Sequence, residues 1–217
     1  MREFNALSLY PQPTERRSAA ARTIQSRLVA HERSKEFFDG DRANGYGGLT
    51  DDGRWLPVAQ AMIAEYGIGE HDSVLQINAE KGFLLEAFRD CGVSSVRGTE
   101  TSHYAAGLSK VKLDRAHPAR LPYPSEQFKL VLAIGAIYTL SLVDAMRCLR
   151  QIERVKRDDG ASFVTLGAYE TEADYWALRA WSLLGTTLLT SSDWVEVLRY
   201  CEYTGDYAFV TARTLNL

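Results

Sequence analysis

Gln76-Ile77-Asn78-Ala79-Glu80-Lys81-Gly82 follows the short apolar run Ser73-Val74-Leu75 and precedes Phe83-Leu84-Leu85-Glu86-Ala87-Phe88. A strand that feeds a tight turn and then a helix sets backbone N–H groups and the positive end of a helix dipole at the strand's C-terminal edge. Ligands of open α/β sheets bind at that edge. Glycine suits such a turn because a ligand approaches the backbone closely and a side chain would stand in its way. Asn78 and Glu80 therefore put bulk, and in one case charge, where a cradle needs room. A Glu set 4 Å from a bound carboxylate would repel it by about 1–4 kcal/mol between the water and near-surface limits. The next strand ends on Gly98-Thr99-Glu100, which brings a second carboxylate to the same edge. Tyr138 carries a hydroxyl whose ordinary pKa is near 10, so a role in catalysis needs either a substantial shift or positioning alone. His31, His71 and His103 stand singly in charged or turn contexts and are expected to be surface histidines without a chemical role.

The elements that must position these residues are legible in the periodicity. Thr14 to Phe38 holds no Pro or Gly and spaces Ile24, Leu28 and Phe37 among charges, which predicts an amphipathic helix with an apolar stripe for its own domain or another chain. The glycine-rich run from Asp39 to Gly48 cannot be helix or strand; its Tyr46 makes it either a lid over a pocket or a surface loop with a packing anchor. Helical spacing returns over Trp55 to Tyr66. A βαβ unit follows, with strands near Val74–Ile77 and Ser95–Thr99 around a helix from Gly82 to Cys91. Phe128 to Ile134 and Leu142 to Val155 give a further strand and helix, and Ser162 to Leu166 a strand after an Asp158-Asp159-Gly160 turn. The helix Trp194 to Tyr200 has Ser192 or Asp193 as its cap, and Tyr207 to Arg213 is expected as the last strand.

Composition excludes more than it assigns. The 217 residues, 46% hydrophobic and 24% charged, suffice to bury a full core. A formal net charge of -3 gives no attraction for phosphate backbones, so nucleic acid is not an expected partner. Cys91, Cys148 and Cys201 lie far apart, with no Cys-x-x-Cys pair and no clustered histidines. Neither a disulfide framework nor a metal site is expected, and a reducing cytoplasm fits this pattern. No apolar stretch approaches the roughly 20 residues that a membrane span needs.

The series of segments resembles the class I S-adenosylmethionine-dependent methyltransferases. Leu121-Pro122-Tyr123-Pro124-Ser125-Glu126-Gln127-Phe128-Lys129-Leu130-Val131 is similar to that family's Leu-Pro-Phe-x-x-x-x-Phe-Asp-Leu-Val. Phe38 to Arg42, Gly45 to Gly48, Asp52 to Trp55 and Tyr203 to Tyr207 resemble motifs of a bacterial small-molecule subgroup, so the likeness runs from about Phe37 onward. It implies a three-layer α/β/α sandwich, a Rossmann-like fold with a mostly parallel seven-stranded sheet. The chain then divides into an N-terminal helical extension with its glycine-rich loop (1–50) and a methyltransferase-like domain (51–217).

The resemblance further implies S-adenosylmethionine as cofactor. Glu100 would accept from the ribose hydroxyls, Gln76, Asn78, Glu80 and Gly82 would form the turn around the methionine part, and His117 and Gly135 would complete the cofactor site. Tyr46, Tyr138 and Trp181 would serve substrate or lid. Gln76 stands where the family has Asp, Asn78 and Glu80 where it has Gly and a small residue, and Ala133 to Leu140 replaces a polar Ser-Ile-Asn-x-x-His-Asn-Leu pattern. Two expectations follow: methyl transfer to an unidentified small molecule, or an inactive methyltransferase-fold subunit that pairs with an active relative as part of a homo- or hetero-oligomer. A nicotinamide-dependent reductase is disfavoured, since there is no Gly-x-Gly-x-x-Gly and no Tyr-x-x-x-Lys.

Overall fold

Alternation along the central strands decides the architecture. In β2 (Ser73–Ile77) and β5 (Phe128–Ala133), Leu75, Ile77, Val131 and Ala133 face one way, while Val74, Leu130 and Leu132 face the other. The first set packs on α6 (Leu142–Val155) and α8 (Ser191–Tyr200) through Leu149, Ile152, Trp194 and Leu198. The second packs on α3 (Trp55–Tyr66) and α4 (Phe83–Asp90) through Val58, Met62, Leu85 and Phe88. Apolar side chains on both faces make buried parallel strands, and helices must cover each face. The result is the expected three-layer α/β/α sandwich. The computed structural model describes residues 1–11 and 22–217.

The sheet runs β1 (Arg2–Glu3), β8 (Asp206–Val210), β6 (Lys156–Tyr169), β5, β2, β3 (Ser95–Glu100), β4 (Leu113–Arg115), with β7 (Leu189–Thr190) beside β6. Every ladder among the described residues is parallel. The seventh strand of the main path comes from the extreme N-terminus, which no sequence pattern marks. Arg2 pairs in register with Asp206 and donates to it at 2.6 Å while also reaching Glu65 at 2.7 Å.

Three elements depart from expectation. The N-terminal helix is two helices, α1 (Ile24–Glu32) and α2 (Lys35–Asp39), because Arg33 turns into the left-handed region at φ 48; the stretch 14–21 lies outside the described residues. Asp158-Asp159-Gly160 is no turn. The register steps from Phe128↔Lys156 to Leu130↔Ala161, so these residues form a bulge that lets one long strand continue. Helix α8 is capped by Thr190, whose hydroxyl accepts from Asp193 N–H at 3.1 Å, rather than by Ser192 or Asp193. No described helix is long and apolar enough to cross a membrane.

Helices α1 and α2 roof the C-terminal edge of the sheet. Ala30, Phe37 and Phe38 form a third, smaller core with Ala105 of α5 (His103–Leu108) and with Leu183, which follows α7 (Glu172–Trp181).

Candidate functional site

The turn after β2 holds Asn78 at φ 57, Glu80 at φ 58 and Gly82 at φ 84, three alternate residues in the left-handed region. That path costs an L-residue about 1–2 kcal/mol, Asn less than Glu, and glycine nothing. Gly82 is also required by space: a Cβ there would lie 2.5 Å from Ser109 Oγ and 2.8 Å from Val111 Cγ2. The backbone of the turn is pinned from β3. Ala79 N–H donates to Thr99 O at 2.8 Å and Glu80 N–H to Glu100 Oε2 at 2.8 Å.

Glu100 is 0% exposed and fully engaged. Its Oε1 accepts from Ser102 N–H at 2.7 Å and from Arg33 Nη2 at 3.0 Å. Arg33 reaches it from the end of α1 with its guanidinium 5.7 Å and 5.6 Å from the ring centres of Phe37 and Phe38, within cation–π range. A second ion pair ties the roof down: Lys81 Nζ donates to both oxygens of Asp39 at 2.7 and 2.8 Å and to Leu49 O at 2.7 Å. Burial alone would raise the Asp39 carboxyl, but the Lys81 ammonium and the Tyr104 hydroxyl outweigh it and hold the pKa below the ordinary value.

The glycine-rich loop lies on α2. Tyr46 N–H donates to Phe37 O at 2.9 Å and Leu49 N–H to Phe38 O at 3.0 Å. Gly45 approaches so closely that a Cβ would sit 1.8 Å from Phe37 O. This seats the Tyr46 ring 5.2 Å from that of Phe37, and its hydroxyl donates to Glu80 Oε1. Burial pushes the Glu80 carboxyl up, and Glu100 adds to the rise against the opposing Tyr46 hydrogen bond and Arg33 charge. Burial likewise raises Tyr46, while Tyr138 is pushed up to about 12 by burial and by the Glu80 charge. Neither tyrosine can serve as a base near neutral pH.

Two cavities share Arg42, Tyr46, Asn78, Glu80 and Gly135 as a wall. The larger, ≈ 420 Å³, is bounded also by Gln76, Lys81, Arg54 and Trp55. Gln76 is 6% exposed, and its Oε1 has no hydrogen-bond partner. The smaller, ≈ 110 Å³, is bounded by Arg22, Arg33, Phe37, Tyr138 and Trp181. The structure thus gathers Gln76, Asn78, Glu80, Gly135, Tyr46, Tyr138 and Trp181 around these cavities. Gly82 opens α4 beneath them, and Glu100 lies under Arg33 and lines neither cavity. His117 is exposed after β4, its Nδ1 accepting from Ala119 N–H at 3.3 Å, and lines neither cavity. Sequence reasoning missed Arg22, Arg33 and the Asp39–Lys81 pair. Only the last left a signal, since Asp39 falls in a quoted motif and Lys81 in the turn.

The chain matches no family model and no curated protein. Solved structures do match. The YcgJ protein of Bacillus subtilis is 18% identical over 66% of this chain and 66% of its own, with a TM-score of 0.56. A candidate methyltransferase from Bacillus halodurans C-125 is 15% identical over 66% of this chain and 67% of its own, with a TM-score of 0.57. A candidate methyltransferase of Haloferax volcanii, solved in complex with the Trm112 methyltransferase activator, is 17% identical over 68% and 72%, with a TM-score of 0.56. At such identities the likeness is one of architecture, and it agrees with the strand order and the layers described above. The chain has the Rossmann-like fold of the class I S-adenosylmethionine-dependent methyltransferases.

Proposed function

We propose that this is a methyltransferase-fold protein whose nucleotide groove is shut by its own N-terminal segment, and that it acts as a catalytically inactive subunit beside an active relative. The Arg33–Glu100 ion pair carries this reading. A carboxylate at the end of β3 serves a nucleoside by accepting from the ribose hydroxyls. Here that carboxylate is buried, and its oxygens accept from an arginine, two backbone amides and the Thr101 hydroxyl. The turn adds to the misfit. Glu80 would face a bound methionine carboxylate with one of its own, and Gln76 offers an amide where a carboxylate would hold an ammonium. The residues present therefore do not fit S-adenosylmethionine. The exposure of Ile24 (72%) and Leu28 (56%) on α1 supports the subunit role, since these apolar side chains stand open to a partner.

A second reading, methyl transfer to a small molecule, is favoured by the ≈ 420 Å³ cavity and the unpartnered Gln76 carbonyl beside the turn. Its volume lies within the range of ligand pockets. Calorimetric titration with S-adenosylhomocysteine separates the two. The inactive reading expects no binding heat at millimolar ligand, and a Kd below about 100 μM in the unaltered protein would overturn it.

A further inference from the structure

We infer that the chain binds a small organic anion, a carboxylate or phosphate monoester with a compact aromatic body, in the ≈ 110 Å³ cavity, with Arg22 and Arg42 as its counter-charges. The inference goes beyond the inactive-subunit reading and does not need S-adenosylmethionine to bind, because this cavity is separated from the larger one by Tyr46 and Glu80.

Arg22 motivates it. The sole hydrogen bond of its guanidinium among the described residues is Nη1 to Ala43 O at 3.5 Å, the outer limit of such a contact, and its buried Nε has no partner. No carboxylate among the described residues pairs with it. Its surroundings are positive instead: burial lowers its pKa, and the neighbouring Arg42 and Arg27 lower it further. The exposed Arg42 also lacks a carboxylate among the described residues and bonds only through Nη1, to Gly45 O at 3.2 Å and Tyr46 O at 2.9 Å. A second buried donor, Arg33 Nε, lies on the same wall without a partner.

Other cations withdrawn from water, wholly or in part, have partners among the described residues. Lys81 has Asp39, Lys156 has Glu153, and Arg27 closes the end of α7 by donating to Arg179 O and Ser182 O at 2.6 and 2.7 Å. The Arg22 guanidinium is half-buried, its Nε fully so, and a charge partly withdrawn from water gains from an anion that meets it. The one acid on the wall among the described residues, Glu80, is engaged by Tyr46. Among the described residues, then, nothing supplies the missing counter-charge. Guanidinium groups meet planar carboxylates and phosphates two bonds at a time. Phe37, Tyr138, Trp181 and Leu183 supply apolar walls for the body of such a ligand. The cavity is several times the roughly 10–15 Å³ that one water occupies, which suits an anionic head and a ring but not a nucleotide.

The test is calorimetric titration of the full chain with benzoate, phenyl phosphate, inorganic phosphate and the neutral isostere benzamide. Benzoate or phenyl phosphate should bind below about 1 mM, the better of the two identifying the head group, and benzamide should not bind. Arg22→Met should weaken binding by about tenfold or more, while Arg22→Lys should retain part of it. Arg42→Met should also weaken it, but Arg42 holds the glycine-rich loop, so Arg22 is the deciding position. The proposal is overturned if neither organic anion binds by about 5 mM, if benzamide binds as well as benzoate, or if Arg22→Met leaves affinity unchanged. Inorganic phosphate binding as tightly as phenyl phosphate would overturn the organic part. The benzamide comparison needs no variant, so it decides even if a substitution disturbs folding.

Discussion

Replacing Arg33 by Met tests the closed groove most directly. The substitution keeps an unbranched stem at a backbone site already at φ 48, so it removes the guanidinium without adding backbone strain. It leaves Glu100 buried and short of its cation. Breaking a buried ion pair by removing one partner costs about 3–5 kcal/mol. Two features reduce that here: Glu100 keeps the N–H groups of Glu80 and Ser102, and the Arg33 side chain is 15% exposed. About 2–3 kcal/mol remains, and at about 2–4 °C per kcal/mol for a chain of this size the Tm should fall by about 4–12 °C. The measurement is thermal unfolding of the wild type, Arg33→Met, Glu100→Gln and the double variant. The cycle should show a coupling of about 1.5 kcal/mol or more between the two positions. A Tm loss under about 2 °C, or a coupling inside about 0.5 kcal/mol, would mean that Arg33 rests on Glu100 without holding the roof closed. Binding of S-adenosylhomocysteine gained only in Arg33→Met would show in addition that the guanidinium is what blocks the groove.

Two further perturbations probe the same roof. Burial raises the Glu80 carboxyl above its ordinary 4.5, so the folded state keeps the proton to higher pH than the unfolded chain does. Stability from this group is then full below about pH 4.5 and is lost as pH climbs through the folded pKa, because the native state binds more protons there. Glu80→Gln cannot ionise, so its Tm relative to wild type should rise between pH 4.5 and 7; a difference that shrinks with pH would refute the assignment. Gly45→Ala should lift the loop from α2, since its Cβ would lie 1.8 Å from Phe37 O. A loss of about 1–3 kcal/mol is expected, with faster tryptic cleavage at Arg42, and an unchanged digestion rate would show that the loop is not held by this contact.

The fold was legible wherever burial imposes a period. Helix α6 runs from Leu142 to Val155 as its spacing predicts; its buried face is Ala145, Cys148, Leu149, Ile152 and Val155, and Leu142 is exposed. Period alone locates a helix well, but the neighbours it packs against choose the stripe. The bulge at 158–160 was misread because Asp-Asp-Gly is turn chemistry, and only pairing with β5 on both sides of it keeps the strand intact. β1 carries no pattern at all; two exposed residues become a strand because β8 offers an open edge and Asp206 a partner for Arg2.

The site divides along the same line. The residues that line the turn follow from sequence because a strand, a turn and a helix are local. What fills the turn does not, since Arg33 meets Glu100 across 67 positions and Tyr46 meets Glu80 across 34. Those distant contacts bear on why Glu80 is tolerated. An L-residue at φ 58 in a turn shaped for glycine carries strain with nothing to offset it if it has merely drifted there. Glu80 instead gains a tyrosine hydroxyl, the nearby charge of Arg33, and a backbone bond to Glu100. A local rule is broken, and the partners that compensate all come from the N-terminal segment or from β3. Such a pattern fits a groove refitted around its own lid better than one decaying by chance. Tyr46→Phe should therefore leave Glu80 strained and unpaired, whereas Glu80→Gly should relieve the strain even as it loses the tyrosine contact.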